Sequence, residues 1–208
     1  MTFRAAPEDR GTSRYLAAAA FAGAWFVFAG IAAASGQPAS ATELRRFSGA
    51  APLTFTLPST TGVEIALESQ RGRVVLVHFF ATWCEPCLAE LPALNRLAAR
   101  GGDKIKVLAI SVAEVDARVR RFFEATPVDF PVLLDRDRAV TRTWNVATLP
   151  TTIVLDAKLN PRLTAQADFD WDSIDADKLT AMLAKYPAVS PGGSAKTENT
   201  TKPLHSGG

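Results

Sequence analysis

At 208 residues the chain has room for one domain plus extended ends. Its net charge of +2 is near balance and no long basic run occurs, which sets nucleic acid aside as a partner. Local clusters such as Arg118, Arg120 and Arg121, and the run Asp135-Arg136-Asp137-Arg138, read as solvated helix and loop faces.

The first element is a targeting segment. Arg4, Arg10 and Arg14 lie in an expected cytoplasmic n-region, residues 1–14, and residues 15–34 carry no charge. As a helix that run spans about 30 Å, the thickness of a bilayer core. Its length favours an uncleaved anchor with the N-terminus in the cytoplasm. Half of it is alanine, however, and Ala39-Ser40-Ala41 offers a cleavage site, so a signal peptide stays open. A buried core helix fits the Arg-flanked N-terminal position poorly, and no cysteine follows closely enough for a lipoprotein. In either case the domain is exported, to a periplasmic or other extracytoplasmic and oxidising compartment.

Residues 35–47 read as a linker and residues 48–187 as the folded domain. Leu53 to Leu57 and Val63 to Leu67, joined through Ser59 and Gly62, have the pattern of a hairpin. Val74 to Ala81 is a near-continuous apolar run, as in a central strand buried on both faces. A helix from about Cys84 to Arg100 follows, with Cys87, Leu91, Leu94 and Ala98 at helical spacing and Gly101-Gly102 at its end. Then come a strand at 105–111, a basic amphipathic helix at 116–125, a short strand at 132–134 and a short helix at 139–145. Strands at 151–156 and 162–169 and a last helix at 174–186 complete the pattern. Such alternation predicts an α/β domain, a mixed sheet with helices on its faces. Residues 188–208, rich in Ser, Thr, Gly and Pro, read as a disordered tail.

Cys84 and Cys87 are the only cysteines, two residues apart at the strand-to-helix junction. That arrangement is a redox couple of the thioredoxin type, one sulfur attacking a disulfide and its neighbour resolving the mixed disulfide. A structural bridge is a weaker account, because closing so small a loop contributes only about 2 kcal/mol. Half a zinc site is the other. Zinc takes four ligands, and the remaining soft donors are His78, inside an apolar run, and His205, in the polar tail. Unpaired N–H groups and the macrodipole at a helix N-terminus favour a thiolate, so Cys84 is the expected nucleophile. Cys87, one turn further, is the expected resolving thiol.

The order of elements resembles the thioredoxin fold, here with an N-terminal hairpin and a central βα insertion. Trp83-Cys84-Glu85-Pro86-Cys87, Glu90-Leu91-Pro92, Phe130-Pro131-Val132-Leu133-Leu134-Asp135 and Leu149-Pro150-Thr151-Thr152 resemble the TlpA/ResA group of membrane-tethered thiol-disulfide reductases. The resemblance covers nearly all of residues 50–187 and implies that about 112–134 is the group's insertion. It also implies a cis bond before Pro150, lying against the Cys pair, with the backbone of Leu149 free to pair with an extended substrate.

Pro86, Trp83, Glu90 and His78 have two readings each. Glu85 and Pro86 set the bend and charge between the sulfurs, although proline is also an ordinary helix start. Trp83 shields the disulfide or contacts substrate, or else packs. Glu90, where the group often has an acid, tunes a thiol proton or is a solvated carboxylate. His78 departs from the pattern: thioredoxins have a buried acid six residues before the first cysteine, and many TlpA-like proteins an amide. By strand alternation it points inward beneath the pair, either moving the proton of Cys87 or resting as a neutral core histidine. Pro92, inside the helix, is structural and expected to kink it.

The resemblance implies a reductase without cofactor or metal, fed by a membrane thiol electron donor. Its substrates would be disulfides of apo-cytochromes c or of copper-site assembly proteins. Substrates and redox direction come from the resemblance alone. A copper metallochaperone is one alternative, but copper-delivering relatives space their cysteines one residue further apart and add a nearby histidine. A thiol peroxidase expects threonine three residues before its cysteine, where this chain has Ala81, with Thr82 one step off.

Overall fold

The computed structural model describes residues 43–49, 54–167 and 169–186. The targeting segment, the first part of the expected linker and the expected tail lie outside these residues. No helix among the described residues is long and apolar enough to cross a membrane.

The strands are β1 (Arg45–Arg46), β2 (Thr56–Pro58), β3 (Glu64–Ala66), β4 (Val74–Phe80), β5 (Ile105–Val112), β6 (Val132–Asp135), β7 (Thr151–Leu155) and β8 (Pro161–Gln166). The α-helices are α1 (Glu85–Gly101), α2 (Asp116–Ala125), α3 (Ala139–Thr143) and α4 (Ala176–Lys185). Six strands form one sheet in the order β1-β8-β7-β4-β5-β6, and β2 and β3 form a separate hairpin. β4 runs parallel to β5 and β5 to β6, while β7 runs antiparallel to both of its neighbours, β4 and β8. The sheet is therefore mixed, and its architecture is the thioredoxin-like α/β fold.

β4 is the central strand beside the cysteines, and all seven of its residues are buried. Leu76 and Phe80 pack with Leu91, Leu94 and Leu97 of α1 and Leu179 of α4 on one face. Val75, Val77 and Phe79 pack on the other with Phe55 and Trp144. Each large side chain so buried contributes about 1.5–3 kcal/mol. An apolar layer on each side explains why β4 reads as a continuous run without alternation.

α1 begins with Cys84 as an extended N-cap (φ −92°, ψ 97°) and Pro86 in its first turn, where a missing N–H leaves no bond unmade. It continues through Pro92 and closes at Gly102, whose φ of 51° suits a residue without Cβ. A Cβ on Gly101 would lie 2.6 Å from that of Ile105, so glycine also permits the tight return into β5.

Several boundaries differ from the sequence expectation. Arg45 and Arg46 pair with Thr164 and Leu163, between buried Leu44 and Phe47, so packed structure reaches into residues assigned to the linker. Two exposed arginines on a two-residue edge strand have the composition of a linker, and only the pairing reveals the strand. The hairpin strands are shorter than expected, and Leu67–Gln70 form a 3-10 turn. α4 starts at Ala176 because the Asp175 carboxylate accepts the Lys178 N–H.

Candidate active site

Cys84 and Cys87 are joined by a disulfide. Both cysteines are buried, Cys84 at 6% exposure and Cys87 completely, and Cys84 lines a groove. The Cys84 N–H donates to the Ala81 carbonyl at 3.1 Å, and its own carbonyl accepts the Leu88 N–H at 3.1 Å. The chain is thus turned directly from β4 into α1.

The pair opens onto a groove of about 650 Å³ whose walls include Trp83, Glu85, Pro86, Val112, Arg138 and Leu149. Trp83 is 65% exposed, which removes the packing reading of this side chain. The Leu149–Pro150 bond is cis, as the resemblance implies. Leu149 is half-buried, and its backbone makes no hydrogen bond among the described residues. A larger hollow of about 740 Å³ lies between the hairpin turn and residues 127–132 and contains neither cysteine.

His78 and Glu90 meet in the interior. Alternation along β4 puts His78 on the face of Leu76 and Phe80, the face covered by α1. Its ring stacks on Phe80 with centroids 6.1 Å apart. Nδ1 lies 2.9 Å from Thr152 Oγ1 and 3.7 Å from a Glu90 carboxylate oxygen, and Nε2 has no partner. Burial pushes the imidazole down to about 3, so it is neutral at ordinary pH. Glu90 is only 3% exposed, which removes the solvated reading. Its carboxylate accepts the Phe169 N–H at 2.9 Å and the Trp171 indole N–H at 3.0 Å. Trp171 is itself fully buried, and a buried indole N–H needs such an acceptor.

Sequence reasoning missed Glu114. It is buried just beyond β5, and its carboxylate accepts the Thr82 N–H (2.8 Å), the Thr82 hydroxyl (2.5 Å) and the Ser111 hydroxyl (2.8 Å). These bonds hold the turn before Cys84 to the end of β5. The only local signal is an acid three residues after Ser111, which is too common to single out. Asp135 plays a similar part at the groove. Its buried carboxylate accepts the N–H groups of Val140 and Thr141 and the Thr141 hydroxyl, fixing the start of α3 next to Arg138.

The arrangement brings together a groove-lining cysteine, a fully buried partner cysteine, a helix N-terminus and a groove with a free backbone edge. Such a site can exchange one disulfide for another without outside groups.

Similarity to known proteins agrees with this geometry. The chain is 36% identical to the thioredoxin-like protein YneN of Bacillus subtilis over 107 residues, 50% of this chain and 62% of that protein. It is 36% identical to the thiol-disulfide oxidoreductase ResA of the same organism over 103 residues, 49% of this chain and 58% of that one. The chain thus spans less than two thirds of either relative. Among solved structures, a Chlorobium tepidum protein provisionally named a thiol:disulfide interchange protein DsbE superposes with a TM-score of 0.59 at 25% identity, covering 68% of this chain and 99% of that one. These similarities bear out the TlpA/ResA-like resemblance. The AhpC/TSA family model matches residues 48–160, over half the chain, and the chain belongs to that family.

Proposed function

We propose that this protein is an exported thiol-disulfide oxidoreductase working as a reductase through a Cys84/Cys87 dithiol–disulfide cycle. The observation that carries the proposal is the Cys84–Cys87 disulfide at the N-terminus of α1, opening onto the groove lined by Leu149. In the forward cycle the Cys84 thiolate attacks a substrate disulfide sulfur and expels one substrate thiolate. Cys87 then attacks Cys84, releases the second substrate thiolate and closes the disulfide. Two electrons pass from the dithiol to the substrate, whose thiolates take up the protons. A membrane thiol donor then reduces the pair. Substrates are disulfides of apo-cytochromes c or copper-site assembly proteins, and residues 15–34 hold the domain at the outer face of the cytoplasmic membrane.

The surrounding residues take roles consistent with their places. Glu85 and Pro86 shape the turn between the sulfurs, and Trp83 contacts substrate. Leu149 and Pro150 seat an extended segment. Glu90 tunes the buried thiol from the interior, and His78 serves as a neutral neighbour bonded to Thr152. The peroxidase alternative gains little. Ala81 is buried and apolar, and the Thr82 hydroxyl is already donated to Glu114.

A trapping experiment tests the reading. With Cys87→Ser, Cys84 still attacks but release fails, so partners accumulate as adducts that reductant dissolves and that a Cys84→Ser, Cys87→Ser double variant lacks. Adducts with apo-cytochromes c or copper-site assembly proteins support the proposal. Capture of a broad set of newly exported proteins, with wild-type Cys84–Cys87 oxidised in the cell, makes the protein an oxidase instead. No adduct at all refutes the cycle.

A further inference from the structure

We propose that the surface around Cys84 selects disulfides flanked by an apolar side chain and by carboxylates, so that the preferred partners are acidic near the bond they exchange. The proposal rests on the thiol-disulfide reading above and specifies its substrate class.

The apolar part is visible in side chains left uncovered. Trp83 (65% exposed) and Val115 (73%) are two of three large apolar side chains exposed among the described residues. Each directly follows one of the two residues tied together by the Thr82–Glu114 bonds, so both border the turn into Cys84. Trp83 is a wall shared by the Cys84 groove and a second hollow of about 400 Å³. A partner side chain beside the attacked cysteine would cover it.

The charged part comes from arginines without partners. Arg118 and Arg121 line the second hollow, and Arg138 lines the Cys84 groove. All three are exposed, and none forms an ion pair among the described residues. Their neighbours Arg120 and Arg136 do, both with Asp116. The nearby carboxylates are otherwise engaged. Glu114 is turned inward onto Thr82 and Ser111, and Asp137 accepts the Ala139 N–H. Glu85 is the one exposed carboxylate lining the groove. Among the residues that line the two hollows, three unpaired guanidinium groups stand against one carboxylate, which leaves the lining positive. Guanidinium forks bind carboxylates with two parallel hydrogen bonds, and such a field raises encounter rates with anionic partners.

The test uses the reduced full-length protein and three peptides that share one internal disulfide and an apolar neighbour, flanked by Asp, Ser or Lys. Second-order rates are read at ionic strengths of about 0.01 M and about 1 M, where charges act over roughly 30 Å and 3 Å. At low salt the acidic peptide should exchange about tenfold or more faster than the basic one, converging at high salt. Arg118→Glu, Arg121→Glu, Arg138→Glu combined should reverse the order, and Trp83→Ala should erase the advantage of the Ser-flanked peptide over a fourth peptide in which glycine replaces its apolar neighbour. Equal rates for all three peptides at low salt, or a faster basic peptide, overturn the proposal while leaving the redox cycle standing. If even the neutral peptide is untouched while dithiothreitol reduces it, the redox reading fails and takes this one with it. The wild-type comparison decides without any variant.

Discussion

The two sides of the cysteine pair are built on opposite plans. Beneath it, His78, Glu90 and Trp171 are buried, and Glu90 satisfies two donors from the segment before α4. Above it, the Trp83 side chain is exposed, and the exposed guanidinium groups of Arg118, Arg121 and Arg138 form no ion pair among the described residues. The contrast separates two requirements. Under the proposed cycle, the underside keeps the thiol environment constant between turnovers, and the rim stays unsatisfied until a partner arrives. Changes beneath should register mainly in stability and pH dependence, and changes above mainly in rates with protein substrates.

The largest effect should come from Glu90→Ala. It strands the Phe169 N–H and the Trp171 indole N–H, each at about 1–3 kcal/mol, so urea melts should show a loss on the order of 2–6 kcal/mol. Glu90→Gln keeps an acceptor oxygen and should lose much less. A loss below about 1 kcal/mol for the alanine variant would break the contrast.

His78 should appear as a pH dependence. The unfolded imidazole takes up a proton near its ordinary value of 6.5, and the folded one only near 3. Acid therefore favours the unfolded chain: stability is full above the unfolded value and declines as pH falls toward the folded one. The decline approaches about 1.4 kcal/mol per pH unit, and His78→Asn should flatten it in melts at about pH 7 and about pH 5. An unchanged slope would mean that the imidazole charges within the fold.

Glu114→Ala joins the two plans, because it loosens the turn carrying Trp83 and Cys84. It should cost about 1–3 kcal/mol and slow exchange with peptide disulfides, while Glu114→Gln recovers part of both. Recovery of stability without recovery of rate would show that the charge, not the tie, matters.

Trp83→Ala should have the smallest effect on stability, within about 0.5 kcal/mol, because the side chain is mostly in solvent. Exchange with protein disulfides should nonetheless fall several-fold, measured beside a small disulfide that cannot reach the indole. Equal losses with both would remove Trp83 from the rim.

Much of this is legible in the amino-acid sequence. The apolar run before Cys84, the helical spacing after it and the Pro86 start all lie within one contiguous stretch, and β4 and α1 form there. The Leu149–Pro150 bond is cis, as the resemblance implies, and Leu149 lines the groove. Less legible were short pieces whose composition is neutral. Arg45–Arg46 looks like linker until it is paired, and Glu114 looks like any surface acid until its three donors are seen.

Local sequence sets the place of the Cys pair at a helix N-terminus and the alternation of strands and helices. Spacing, periodicity and capping act between residues close in the chain and need no knowledge of the rest. Only the tertiary structure decided what surrounds the pair. Glu90 meets Phe169 and Trp171 from 79 and 81 residues away, and His78 meets Thr152 from 74. Those meetings depend on the strand order β1-β8-β7-β4-β5-β6, which lays β7 against β4 and brings the last segment over α1. Local propensity carries no information about which distant donor will face a given acceptor. That choice is made when the two faces of the sheet are covered and each buried polar group must find a partner.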